Sequence, residues 1–312
     1  MKSTNILLSI VAAVTMTFGV STSSVQGQCP ADLNGDGQIN QADVAQLLAN
    51  SGSVPFPTPV VPTWATLLEA SPDPAVVTDA NLRAAIVASG FAWRIKDTSS
   101  DIEMLLIPAG TFMMGCSPGD AECGGDENPA HQVTLTNAFY MGKTEVTQAQ
   151  WLAKMGSNPS AFSGQPNNPV ENVSWNMIQG FNTATGFRLP TEAEWEFACR
   201  AGTTTARYGV LDDIAWYDSN AGGTTHAVAT KLPNSLGLYD TLGNVWEWCQ
   251  DWYGPYSSGS VTNPTGPATG SYRLLRGGRR NSYSDECRGS LRYDVNPYVL
   301  HYLSGFRVVR TP

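Results

Sequence analysis

The stretch whose residue types and spacing point most directly to chemistry runs from Asp32 to Asp43, Asp-Leu-Asn-Gly-Asp-Gly-Gln-Ile-Asn-Gln-Ala-Asp. Asp32, Asn34 and Asp36 stand at alternate positions, and Gly37 follows where the chain must turn sharply. Gln38 offers its carbonyl, Asn40 reaches through a water, and Asp43 closes the set. That is the donor order of an EF-hand loop, which surrounds calcium with about six to eight oxygens. Asp43 stands where glutamate is usual, and Val44, Leu47 and Leu48 read as the helix that follows. A polar turn with chance acidic residues is the competing reading. The other candidates are thiols: Cys29, Cys116, Cys123, Cys199, Cys249 and Cys287. In an exported chain they predict disulfides, whose connectivity spacing alone does not fix. The three histidines, His131, His226 and His301, are too far apart to give the paired spacing of a zinc or iron site. No nucleophile elbow, P-loop or dinucleotide fingerprint is present.

The elements that must position these residues are marked by their caps. Thr147-Gln-Ala-Gln150 and Thr191-Glu-Ala-Glu194 are capping boxes, each with a hydroxyl at the N-cap and an acceptor three residues on. Gly156 and Gly202 are expected to end those helices, and Ser174 to cap a third. Glu192 and Glu194 do not share a helix face, so capping accounts for them better than paired acid-base work. Short strands are expected at 104–107, 132–135, 273–275 and 306–309. An earlier helix is expected to start at Thr78, bury Leu82, Ala85 and Ile86, and stop at Gly90. The remainder reads as ordered loop, rich in Gly, Trp and Tyr.

At 312 residues, with 42% hydrophobic and 14% charged side chains, the chain can build one large core and is not wholly disordered. Its net charge of -9 disfavours nucleic acid as a partner, because such binding needs Lys and Arg against phosphates. Lys2, the apolar run 6–20 and the small residues before position 28 read as a secretory signal over 1–27, too short to span a membrane comfortably. The expected organisation continues with the calcium loop and its helix (28–50), a Pro-rich linker (51–63), a lead-in helical segment (64–100) and a main domain (101–312). The expected location is outside the cytoplasm: secreted, periplasmic or at the cell surface. No span is expected in the mature chain.

Ordered motifs run through the main domain. They begin with Gly110-Thr-Phe-Met-Met-Gly115, Glu127-Asn-Pro-Ala-His131 and Glu145-Val-Thr-Gln148. Pro169-Val-Glu-Asn-Val-Ser-Trp175 and Arg188-Leu-Pro-Thr-Glu-Ala-Glu-Trp195 follow. Gly237-Leu-Tyr-Asp-Thr-Leu-Gly-Asn-Val-Trp-Glu-Trp248, Asp251-Trp252, Arg276-Gly-Gly278 and Gly305-Phe-Arg307 close the series. In this order they resemble the formylglycine-generating enzyme (sulfatase-modifying factor) family. The loop at 32–43 resembles a dockerin loop, though a dockerin carries two. The resemblance implies an α+β, loop-rich fold with few short strands and helices, a variant of the C-type-lectin fold. It also implies a structural calcium, with ligands here at Asp240 and Glu247 (side chains) and Gly243 and Val245 (carbonyls). A second calcium site would begin near Asn220 and Ala221.

Enzymes of that family hold Cu(I) between two thiolates and oxidise a sulfatase cysteine to formylglycine. Counted from Arg276-Gly-Gly278, Ser282 stands at the first thiolate position and Cys287 at the second. A serine hydroxyl is a hard, protonated donor and does not replace a thiolate on Cu(I). Copper is therefore expected only if another thiol, such as Cys249, completes the site. Family members without the pair imply a Cys199–Cys287 disulfide. Cys116 and Cys123 are close enough for a small loop disulfide, which leaves Cys29 and Cys249 without evident partners. Arg279 and Arg280, with Arg273 nearby, suggest either an anion-binding cleft or solvated surface charge. Three functions follow as expectations. The first is a calcium-stabilised binding or structural module for a protein or glycan ligand. The second is an active copper oxidase, and the third a dockerin-type subunit of a surface assembly.

Overall fold

A computed structural model describes residues 58–312. The expected signal peptide, the loop residues Asp32 to Asp43, Cys29 and most of the linker lie outside the described residues.

Strand β3 (Glu103–Ile107) is buried at all but its first position, so it reads as a continuous apolar run rather than an alternating one. It sits mid-sheet: β1 (Ala65–Glu69) pairs with β2 (Arg94–Asp97), β2 with β3, β3 with β6 (Phe139–Gly142), and β6 with β12 (Val309–Arg310). All four pairings are antiparallel. The segment before residue 101 thus contributes two strands to the central sheet as well as a helix. The alternating burial of Arg94-Ile-Lys-Asp97 is the signal for the second of them. A second sheet joins β10 (Tyr293–Val295), β9 (Arg273–Arg276), β7 (Trp246–Trp252) and β11 (Ser304–Gly305). A third joins β4 (Gly110–Met114), β5 (His131–Leu135) and β8 (Val261–Thr262).

Helix α1 spans Ala80–Ala88 and is capped by Asp79 rather than Thr78. The Asp79 carboxylate accepts from Asn81 N at 2.7 Å and Leu82 N at 3.0 Å, two orphan donors that one side chain satisfies. Both capping boxes form as expected, opening α2 (Gln148–Met155) and α4 (Glu192–Arg200). Ser174 caps α3 (Trp175–Thr185), accepting from Met177 N at 3.2 Å. Gly156 ends α2 in the left-handed region, whereas α4 ends on Ala201 at φ 47°, one residue before Gly202. A short helix α5 covers Leu211–Ile214.

The single strand expected at 306–309 does not form: 306–308 lie between β11, which ends at Gly305, and β12, which starts at Val309. β11 pairs with β7 and β12 with β6, so the chain crosses from one sheet to the other between them. Arg307, in that crossing, turns inward and is fully buried. The core around it is apolar at Trp151, Phe181 and Phe306, whose rings lie 5.4–5.9 Å apart. It is charged where Arg276, Arg288 and Arg307 are buried with carboxylates. Arg276 donates to the carbonyls of Gly289, Ser290 and Leu291 as well as to Glu196, and so ties a loop to α4.

Candidate functional site

Strand β9 delivers Arg276 to two glycines in the left-handed region, Gly277 at φ 95° and Gly278 at φ 81°. A Cβ on Gly277 would stand 2.6 Å from the Thr241 carbonyl, and one on Gly278 would stand 2.9 Å from Cys287 Sγ. Only glycine lets the loop fold this closely over the thiol. Ser282 and Cys287, the two positions that copper would need as thiolates, are both fully buried beneath it. The Ser282 hydroxyl accepts from Arg279 N at 3.2 Å, and its carbonyl accepts from Asp218 N at 3.0 Å, so it builds a turn. Burial pushes the Cys287 thiol up to about 12, against the opposing pull of Arg207. It is a thiol, not a thiolate, at neutral pH.

Among the described residues the remaining thiols do not supply a partner. Cys116 and Cys123 form the expected disulfide, Cα atoms 5.8 Å apart. The Cys199–Cys287 bond implied by the resemblance is not formed: both are free thiols, as is Cys249. Cys199 and Cys249 instead pack together with Trp195, Leu242 and Leu274 in a small apolar cluster that does not include Cys287. Burial pushes Cys199 up to about 11 and Cys249 well above the usual range. Beside Cys287 the chain is closed by charge. Arg288 meets Glu127 at 2.7 Å through both terminal nitrogens and Asp120 at 3.1 Å, clamping the loop that the disulfide staples. Sequence reasoning missed this clamp, whose partners lie more than 160 positions apart.

The segment 240–247 is buried throughout. Asp240 sits at φ 53° with one oxygen accepting from Ala229 N at 2.7 Å, and its Oδ1 has no partner. Burial pushes its carboxyl up to about 6. Gly243, at φ 82°, lies so close to Trp216 that a Cβ would be 2.4 Å from the Trp216 carbonyl. Val245 is buried behind it. The Glu247 carboxylate takes both Nε and Nη2 of Arg307 at 2.6 Å and Trp195 Nε1 at 2.7 Å. This segment thus leaves an open carboxylate oxygen at Asp240, while Glu247 is committed to Arg307. Among the described residues no three acidic, histidine or cysteine side chains converge as a metal group, so a cation here would also draw on carbonyls. At the second suggested site the Asn220 amide is spent on Tyr217 N and the Ala215 carbonyl, and the Ala221 carbonyl meets His226 Nε2.

Arg273, Arg279 and Arg280 are each engaged by different partners. Arg280 is buried over the Phe162 ring and donates to the Gly223 carbonyl at 2.6 Å. Arg273 is stacked between Trp175 and Trp252. Arg279 lies 5.8 Å from the Trp246 ring, on which Tyr293 is also stacked. The segment that follows exposes Tyr293, Tyr298, Val299, Leu300 and Tyr302, and Tyr283 is 70% exposed. A separate cleft of about 310 Å³ is lined by His131, Glu192, Asp251, Trp252, Tyr256 and Arg292. There burial, and then the Glu192 carboxylate, push Asp251 up to about 8. Among the described residues no helix is long and apolar enough to cross a membrane.

Comparison with known proteins agrees with this geometry. The sequence profile of the sulfatase-modifying factor enzyme 1-like domain matches residues 94–312. A formylglycine-generating enzyme of Streptomyces coelicolor is 30% identical over 296 residues, covering 72% of this chain and 93% of that protein. A protein named serine/threonine-protein kinase pkn1 from Chlamydia pneumoniae is 35% identical over 238 residues, covering 67% of this chain. The match spans 38% of the length of that kinase. Treponema denticola variable protein 1 superposes with a TM-score of 0.62 at 33% identity, over 68% of this chain and 95% of that one. The α+β, loop-rich fold, the ordered motifs and the profile match lead to one assignment: the chain belongs to the sulfatase-modifying factor enzyme 1-like family.

Proposed function

We propose that this chain is an exported, calcium-stabilised binding module of its family that does not carry out copper-dependent oxidation. The observation behind the reading is the pair Ser282 and Cys287: a hydroxyl at one thiolate position and a buried, protonated thiol at the other. Soft Cu(I) needs thiolate donors, and the other two free thiols among the described residues pack in a different cluster. The binding role is supported by the exposed side chains of Tyr293, Tyr298, Val299, Leu300 and Tyr302, an apolar and aromatic stretch suited to a protein or glycan ligand. Calcium is held at Asp240 with the carbonyls of Gly243 and Val245, and separately in the loop at 32–43, which tethers the module or docks it to a surface assembly.

The test is Cu(I) titration of the purified full chain against a competing chelator. The wild-type chain is expected to lose copper to the chelator, and Ser282→Cys is expected to gain Cu(I) affinity on the order of tenfold or more. Stoichiometric high-affinity Cu(I) binding that Cys287→Ala abolishes in the wild-type background would favour the oxidase reading instead.

A further inference from the structure

Asp251 is 3% exposed, yet the fold uses only half of its carboxylate. Oδ2 accepts from Glu192 N at 2.9 Å, at the start of α4. Oδ1 has no hydrogen-bond or ion-pair partner among the described residues, and Asp251 lines the cleft of about 310 Å³. His131, 6% exposed, lines the same cleft in the same condition. Its Nδ1 donates to the Pro129 carbonyl at 3.0 Å, which leaves Nε2 as an acceptor without a partner. The cations nearby are committed elsewhere. Arg292 gives Nε and Nη2 to Glu192 at 2.6 and 3.0 Å, and Nη1 to the Asp126 carbonyl. Arg273 donates to the Gln250 carbonyl and is stacked between Trp175 and Trp252. Two unmet acceptors, each more than nine-tenths buried, cost free energy until a donor fills them. Around them stand Met114, Pro255, Val261, Pro264 and Pro267, an apolar wall. Gly266, at φ 70°, holds part of that wall close: a Cβ there would stand 3.0 Å from Asp251 Cβ and 3.3 Å from Oδ1.

We propose that this cleft binds a primary ammonium carried on a short apolar chain, the chemistry of a lysine side chain, with the ammonium donating to Asp251 Oδ1 and His131 Nε2. An ammonium has three donors and a positive charge, so it meets both acceptors and supplies the cation that Asp251 lacks. Its methylenes suit walls of proline, valine and methionine better than a hydroxyl-rich sugar ring does. Neither Ser282 nor Cys287 lines the cleft, so the proposal stands independently of the copper reading. Binding is linked to protons. In the free protein burial, then the Glu192 carboxylate, push Asp251 up to about 8, with Glu194 adding to the shift and Arg273 opposing it. Of the other groups packed here, Arg292 is balanced by Glu192, while burial pushes Cys249 and Tyr256 well above their usual ranges and keeps both neutral. The ammonium takes the ionised carboxylate, so each ligand bound releases a proton. Affinity therefore rises with pH below about 8, by up to about tenfold per unit.

The experiment is a saturation-transfer NMR titration of the full chain at about pH 6 and about pH 8. The probes are Nα-acetyl-lysine methylamide, its Nε-acetylated counterpart and glucosamine. The lysine probe is expected to bind, and to bind on the order of tenfold or more tightly at the higher pH. Nε-acetylation is expected to weaken it on the order of tenfold or more. Asp251→Asn keeps an acceptor for Glu192 N, and is expected to lose the same factor together with the pH dependence. No transfer to the lysine probe, equal binding of the acetylated probe, or wild-type affinity in Asp251→Asn would overturn the inference. A preference for glucosamine over the lysine probe would overturn the lysine assignment in favour of an amino sugar. Should Asp251→Asn fail to fold, wild-type crystals soaked with the lysine probe decide. An ammonium within hydrogen-bond distance of Asp251 supports the assignment, and a probe seated only elsewhere overturns it.

Discussion

Cys287 shows how much depends on one residue's surroundings. A cysteine five positions after Ser282 marks where copper would sit, and sequence counting located both residues. That the thiol is buried and free, rather than bonded to Cys199, depends on tertiary packing that sets Cys199 in an apolar cluster without Cys287. Spacing carries no such information. Asp251 and His131 could not be paired for the same reason: they belong to separate motifs and meet at one cleft only once β5 and β7 are folded. Asp251 carries a prediction at this scale. Its folded-state carboxyl is pushed up to about 8, above the unfolded value, so the folded state keeps a proton that the unfolded chain releases above about pH 4. The associated stability is fully present below the unfolded pKa and is lost as pH rises toward 8. Asp251→Asn keeps an acceptor for Glu192 N and removes the titration. Between pH 5 and 8 its stability is expected to fall less steeply than wild type, by up to about 1.4 kcal/mol per pH unit. Parallel slopes in urea unfolding would contradict this.

Among the elements, the helices were the most legible because their caps are local. Thr147, Ser174 and Thr191 each satisfy backbone donors within three residues, and the side chains that do so are written next to one another. Thr191→Ala is expected to cost about 1 kcal/mol, measured by chemical unfolding, because Glu194 N loses its acceptor. An unchanged midpoint would show that Glu194, held by Arg188, fixes the helix start alone. Strands were less legible. β1 and β2 lie in a stretch whose clearest local signal is a helix, and the strand expected at 306–309 gives way to a long-range demand. Arg307 must leave the ladder to meet Glu247, 60 positions earlier. Arg307→Met is expected to destabilise the protein by about 3–5 kcal/mol, since it leaves buried carboxylates without their cation. A loss below 1 kcal/mol would mean that the ion pair is not what joins the two sheets.

At the largest scale, the described residues form a set of loops tied by polar staples around three sheets. The family motifs were readable because their glycines and tryptophans sit where backbone approaches are closest, as at Gly243 against Trp216 and Gly278 against Cys287. The staples were only partly readable. The Cys116–Cys123 bond follows from proximity in sequence, while the Arg288 clamp on Asp120 and Glu127 does not. Replacing both cysteines with serine is expected to cost about 2 kcal/mol and leave the domain folded, because Arg288 still holds the loop. Global unfolding of that variant at room temperature would show that the disulfide, not the arginine, organises this side of the molecule.

The central claim is that the family scaffold is kept here without its copper chemistry. The most direct measurement is conversion of a peptide bearing the sulfatase Cys-x-Pro-x-Arg motif. The purified full chain would be supplied with Cu(I), calcium and oxygen, and the product read by mass spectrometry beside the Streptomyces coelicolor enzyme. The peptide is expected to keep its thiol with this protein and to become the aldehyde with the enzyme. Conversion by this chain that disappears in Cys287→Ala would contradict the account and place a working copper site beneath Gly278.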